Sequence, residues 1–330
     1  MRAFRSYLLF IYSIPIQEYL GIENIGNGIW KVCYYAYVGN NMIKISTNMT
    51  KMKIYNLFII WIVIFSCSEN KKDNAEKKEI NNEKQVINLE FQSIIDSAKL
   101  EGSILVYDFQ KEIYYSNDFK WANIGRLPAS TFKIPNSIVA LESGIVDNDS
   151  TLFKWDGKTR YLKVWEQDLI FKDAFRLSCV PCYQEIARKI GEKRMNQYLT
   201  HLDYGNMKVD STSIDNFWLE GDSRISQFQQ IDFLKQFLKS KLPISERTER
   251  IMKKIMVIED NKNYTLSGKT GWSIRNGNNN GWFVGYVNTK NRIYFFATNV
   301  EPNEQFNMKN FPKVRKEITY KALKQLELIK

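Results

Sequence analysis

The chain has 330 residues, 44% of them apolar and 25% charged, which is the make-up of a globular protein and excludes disorder throughout. A formal net charge of +11 raises nucleic acid as a partner, yet the cations are spread along the chain with no basic run interleaved with a base-stacking motif. Nucleic-acid binding is therefore set aside, and a mildly cationic surface suits anionic small substrates.

From the N-terminus, residues 1–51 hold apolar pieces (YLLFIYSIPI, VCYYAYV) but no motif. After Met52 comes a different pattern: a lysine, an apolar run from Ile54 to Phe65, then Ser66 and Cys67. The run is too short to cross a bilayer core of about 30 Å as a helix, but it has the length of a secretory signal. Phe-Ser-Cys at its end resembles the lipobox of bacterial lipoproteins, where cleavage leaves the cysteine as a lipid-carrying N-terminus. The expected organisation is a leader (1–51) upstream of the true start, a signal peptide (52–66) and a polar, solvated tether (67–87). A folded domain (88–330) follows. A plain signal peptide or an uncleaved anchor are the alternatives; export to the periplasm, or to a membrane through lipidated Cys67, is the expectation.

In the folded part, Phe91, Ile94, Ile95 and Ala98 mark one helical face before Gly102. SILVYDF and EIYYSND read as two strands joined across Gln110 and Lys111. A helical middle follows. Ile134, Ile138, Leu141 and Ile145 share a face; Met195, Leu199 and Leu202 share another; Ser226 and Gln229 form a capping-box pattern ahead of Ile231, Leu234 and Leu238. TLSGKTGWSI, WFVGYVNT and RIYFFATNV return to strand, with Asn276-Gly277 as a turn, and Val314, Ile318, Ala322 and Ile329 belong to a closing helix. Strands at both ends with helices between them predict an α+β fold: one antiparallel sheet built from both chain termini, with an inserted helical region and a cleft where the halves meet.

Within RLPASTFKIPNS, Ser130 and Lys133 are three apart at a predicted helix start, so their side chains share a face. The spacing alone is weak, since Ser68 and Lys71 repeat it in the tether. Context separates them: Pro128 leads in, and a helix N-terminus favours a developing oxyanion. Pro135 is tolerated because it lies in the opening turns. A serine needs a base. His201 is the only histidine and precedes a turn pattern (HLDYGN), where a solvated helix-end residue is expected; a Ser-His-Asp triad would rest entirely on it. Lysine is the available alternative.

The motif set extends further: PASTFKIPNSIVALESGIV at 128–146, Ser178-Cys179-Val180 followed by PCYQEIARKIG, Tyr204-Gly205-Asn206, FWLEG at 217–221, and Lys269-Thr270-Gly271. In this order, over roughly residues 90–330, they resemble the class D, oxacillinase-type serine β-lactamases, which share Ser-x-x-Lys and Lys-Thr-Gly with penicillin-binding proteins. The resemblance implies hydrolysis of β-lactam antibiotics through an acyl-enzyme on Ser130. It implies a Lys133 carboxylated by carbon dioxide or bicarbonate as general base, with no other cofactor and no metal. It also implies Trp218 as the indole that holds the carboxylated lysine, and Ser178 as a proton relay. Lys269, Thr270 and Arg315 would bind the substrate carboxylate, and Ser130 and Trp272 would supply the oxyanion N–H groups. Gly271 would allow close approach, Val180 would line the pocket, and Tyr204-Gly205-Asn206 would be positional. A neutral lysine requires burial, for which Phe132, Val180 and Trp218 are the candidate walls. The competing readings are a penicillin-binding sensor or DD-peptidase that is acylated but turns over slowly, and a silent envelope lipoprotein. The absence of His-Glu-x-x-His counts against a full-length sensor.

Cys179-Val180-Pro181-Cys182 departs from that family pattern. A thioredoxin-type role needs a βαβ setting that the surrounding sequence does not supply. Two readings stay open: a local disulfide, if the Cα separation falls within about 4.4 to 6.8 Å, which would stiffen the backbone bearing Ser178, or two small core residues.

Overall fold

In the computed structural model the described residues are 84–329, together with the backbone of 7–13, 16–26, 29–38 and 41–50. The chain divides into two compact units between Asn81 and Asn82, each described by itself. In the first, strands β1 (Tyr7–Ser13), β2 (Ile16–Gly26), β3 (Ile29–Val38) and β4 (Asn41–Thr50) pair in sequence order as an antiparallel meander. The sequence offered no motif there, only apolar pieces whose described residues fall on these strands. The signal-like run, Cys67 and most of the tether lie outside the described residues.

The second unit begins at β5 (Lys84–Ile87), slightly ahead of the boundary expected at Asn88. Its KQVI sequence carries no apolar pattern; what orders it is backbone pairing with the sheet edge. Asn88 then caps α1 (Leu89–Ser97), its side chain accepting the N–H groups of Glu90 at 3.0 Å and Phe91 at 3.3 Å. β6 (Leu100–Asp108), β7 (Ile113–Ser116) and α2 (Phe119–Asn123) follow.

The helical middle holds α3 (Lys133–Glu142), the short pair β8 (Leu152–Phe153) and β9 (Leu169–Ile170), α4 (Phe171–Arg176), α5 (Val180–Ile190), α6 (Glu192–Leu202), α7 (Gln227–Leu238) and α8 (Glu246–Ile255). The expected capping box is present in both directions: Gln229 N–H donates to Ser226 Oγ at 3.2 Å and Ser226 N–H to Gln229 Oε1 at 2.9 Å. Three apolar positions assigned to helices fall outside them, the first being Ala98, which caps the C-terminus of α1. Ile145 lies past the end of α3, where Gly144 takes φ 68°. β10 (Val257–Asp260), β11 (Tyr264–Arg275), β12 (Asn278–Thr289), β13 (Ile293–Pro302) and α9 (Phe311–Gln325) complete the chain, and Ile329 is buried beyond the last helical turn.

The large sheet runs β10-β11-β12-β13-β6-β7-β5. C-terminal β13 pairs with N-terminal β6, Ala297 opposite Leu105, so both ends of the unit build one sheet. The expected all-antiparallel pattern needs one correction: β5 runs parallel to β7, Lys84 opposite Ile113. The sheet is buried on both faces. Leu105, Tyr107, Val284, Phe295 and Ala297 turn toward the helical middle, while Ile104, Val106, Phe283 and Phe296 turn toward α1 and α9. Double burial is why IYFFA reads as a continuous apolar run rather than an alternation.

Candidate active site

Ser130 sits in a 3-10 turn, Ala129–Phe132, that runs directly into α3. Ala129 adopts φ 52°, a left-handed conformation that a residue with a Cβ holds only under restraint. The restraint is visible. Ala129 N–H donates to Trp218 O at 2.8 Å, and Leu127 O accepts from Trp282 Nε1 and Asn280 Nδ2, both at 2.8 Å. Beneath the turn, Thr131 Oγ1 accepts from Gln230 Nε2 at 2.9 Å and lies 3.3 Å from the hydroxyl of fully buried Tyr204. Tyr204 therefore acts by packing under the nucleophile turn. Pro135 is the third residue of α3, in its opening turn, as expected.

Lys133 is 1% exposed, and its Nζ donates to Ser130 Oγ at 3.4 Å. Burial lowers its pKa to about 7. The wall against it includes a residue the sequence did not single out: Nζ lies 4.7 Å from the ring centre of Tyr183, whose hydroxyl meets Ser137 Oγ at 2.7 Å. Tyr183 was legible as one of the apolar positions of α5 (Tyr183, Ile186, Ala187, Ile190), though not as a neighbour of Lys133. Trp218 is fully buried and stacks on Phe132 at 5.5 Å, and Phe217 meets both rings edge-on. The Trp218 Nε1 donor has no partner, an unusual condition for a buried indole.

Ser178 follows α4 with φ 54°, and its Oγ accepts from Lys269 Nζ at 2.5 Å. Lys269, on β11, also donates to Thr270 O at 3.0 Å. Its pKa is held well below the usual lysine range, first by burial and then by repulsion from Lys133 and Arg315. Arg315, on α9, is 6% exposed; burial brings its pKa down to about 10, which leaves it protonated at neutral pH. Its guanidinium donates to the carbonyls of Gly271, Phe311 and Pro312. It can lie against the sheet because Gly281 has no side chain: an added Cβ there would come 2.7 Å from Arg315 Cδ. None of these three cations owes its shift to an acidic partner.

A cleft of about 490 Å³ opens at this point, lined by Ser130, Ser178, Val180, Thr270, Trp272 and Arg315 among others. Gly271 also lines it. Lys133, Trp218 and Lys269 stand behind its wall. An apolar lip with Tyr161, Leu162 and Ile274, all exposed, was not singled out from the sequence. His201 is exposed on α6 and does not line the cleft. Cys179 and Cys182 form a disulfide with Cα atoms 5.4 Å apart, so of the two open readings the local bond holds. Helix α4 precedes it rather than the strand of a thioredoxin unit. Among the described residues no group of His, Cys, Asp or Glu could hold a metal, and no helix is long and apolar enough to cross a membrane.

Residues 99–324 match the family described as penicillin binding protein transpeptidase domain. β-Lactamase OXA-48 of Klebsiella pneumoniae is 42% identical over 231 residues, covering 70% of this chain and 85% of that protein. β-Lactamase OXA-10 of Pseudomonas aeruginosa is 44% identical over 189 residues, covering 56% and 71%. The crystal structure of the class D β-lactamase YbXI from Nostoc superposes with a TM-score of 0.69 at 41% identity, covering 72% of this chain and 99% of that one. With likeness of that extent in sequence and in fold, the chain belongs to the class D serine β-lactamases.

Proposed function

We propose that the protein hydrolyses the β-lactam ring of antibiotics in two acyl-transfer steps, with Ser130 as nucleophile and Lys133, carboxylated at Nζ, as general base. The observation that carries the assignment of the base is a buried lysine amine, its pKa lowered by burial to about 7, one hydrogen bond from Ser130. A neutral amine adds to carbon dioxide to give a carbamate and releases one proton. Two features fit that group: the unpartnered Trp218 Nε1 is a donor in want of an anion, and Lys269 and Arg315 have no negative neighbour to offset their burial.

In acylation, Lys133 in this form accepts the Ser130 proton as Oγ attacks the lactam carbonyl. The N–H groups of Ser130 and Trp272 receive the developing oxyanion, and Gly271 lets the substrate lie close to β11. As the C–N bond breaks, Ser178 passes its proton to the leaving nitrogen and recovers one from Lys269. Arg315 and Thr270 hold the substrate carboxylate. The proton that Lys133 took from Ser130 is relayed to Lys269, so Lys133 is again a base in deacylation: it removes a proton from water, which attacks the ester, and returns that proton to Ser130 Oγ as the ester bond breaks. A chromogenic cephalosporin tests the reading: sustained turnover supports it, whereas one stoichiometric burst indicates a sensor or peptidase and no signal a silent protein.

The same reading places the enzyme outside the inner membrane, held by lipid on Cys67. The lipobox-like Phe-Ser-Cys supports this, and loss of palmitate incorporation in Cys67→Ala is the check.

A further inference from the structure

The Cys-Val-Pro-Cys stretch is unused in the chemistry above, yet it begins one residue after Ser178. Ser178 must keep Oγ 2.5 Å from Lys269 Nζ on a backbone at φ 54°, which demands restraint on both sides. On the N-terminal side the restraint is hydrogen bonding. Leu177 N–H donates to Asp173 O at 2.8 Å, Ser178 N–H to Phe175 O at 3.2 Å, and Trp165 Nε1 to Leu177 O at 3.0 Å; past Ser178, Cys179 N–H donates to Ala174 O at 2.9 Å. On the C-terminal side it is covalent: Cys179, the cap of α5, is bonded to Cys182 in the first turn of that helix and also accepts its N–H at 3.2 Å. The helix so attached carries Tyr183 beneath Lys133. The bond thus ties the Ser178 turn to the same helix that lines the lysine pocket.

We propose that the Cys179–Cys182 disulfide positions the Ser178 hydroxyl for acylation, so that reducing it slows acylation reversibly and leaves deacylation alone. The inference rests on the role given to Ser178 above. The cysteines touch no reacting atom and are positioning residues. In the reduction a dithiol supplies two electrons and two protons. The S–S bond breaks, Cys179 and Cys182 become thiols, and the dithiol leaves as its cyclic disulfide.

The test uses the full chain. Alkylation in denaturant, read on the tryptic peptide 177–188, reports whether the two sulfurs are bonded. Stopped-flow acylation and deacylation of a chromogenic cephalosporin are then measured on the oxidised, reduced and reoxidised protein and on Cys179→Ala/Cys182→Ala. Acylation should fall about tenfold or more on reduction, return on reoxidation, and be equally slow in the double variant. Deacylation should stay within about twofold. Once Ser178→Ala has removed the hydroxyl, reduction should change neither step. Alkylation without reductant, equal loss in both steps, acylation that survives in the reduced protein or the double variant, or redox sensitivity persisting in Ser178→Ala would each overturn the proposal. Ser178→Ala acylating at the parental rate with its disulfide intact would instead remove the relay role, and this inference with it, while leaving Ser130 and Lys133 as assigned.

Discussion

Gly271 and Ser130, from opposite halves of the fold, lie so close that a Cβ added to Gly271 would stand 3.2 Å from the Ser130 backbone nitrogen and 3.1 Å from Pro128 O. Those contacts are tighter than a Cβ normally makes, so strand β11 and the nucleophile turn form one wall only with glycine here. Gly271→Ala should push the turn by a few tenths of an ångström and cut kcat/KM by about 10- to 100-fold. The fold should persist; steady-state kinetics beside a thermal melt checks it, and unchanged kcat/KM would contradict this account of the wall.

Lys133 makes activity pH-dependent. Below about 7 its amine is mostly protonated and cannot add carbon dioxide. Turnover in degassed buffer should therefore decline as pH falls from 8 to 6, by about tenfold, and bicarbonate should restore it. A carbon-13 adduct on the lysine is the direct readout; indifference to bicarbonate would favour a free-amine base.

The same burial carries a stability cost. The unfolded amine titrates at its ordinary value of 10.5 and the folded one near 7, so between these values the unfolded chain binds the extra proton. The contribution of this group is least favourable below about 7, and stability rises with pH across the window. Lys133→Met should remove that slope and raise Tm in carbon dioxide-free buffer, while abolishing turnover. A pH series of melts decides it, and a variant that melts lower than the parent at pH 6 would contradict the account.

Trp218 offers an unpartnered donor behind the cleft. Trp218→Ala should slow deacylation by about 10²-fold, within the range for loss of an effective general base, and affect acylation less. Pre-steady-state traces separate the steps. A variant that turns over at the parental rate would take Trp218 out of the mechanism.

Arg315 is the protonated guanidinium of the cleft. Arg315→Ala should raise KM by about 10- to 100-fold, as expected for a charge-assisted hydrogen bond to the substrate carboxylate, with little change in kcat. An unaltered KM would mean another group holds that carboxylate.

Much of this was legible in the chain because the signals are local. Capping at Ser226 and Gln229, the helical faces, the strand runs and the Ser130–Lys133 pair all depend on residues within a few positions of one another. β5 was not legible, since a tetrapeptide too short to show a period is ordered by backbone pairing at the sheet edge. Nor was Tyr183 beneath Lys133, because nothing in an apolar helix face says which side chain it will meet.

Sequence by itself determined the inventory: a serine and a lysine one turn apart, a second serine, a Lys-Thr-Gly strand, and their order along the chain. Tertiary structure decided what those residues can do. Lys133 becomes a neutral amine only when groups distant in sequence exclude water from it, and Ser178 acquires Lys269 as a donor across 91 positions. Ionisation responds to the whole surrounding volume, whereas a motif records only neighbours along the backbone.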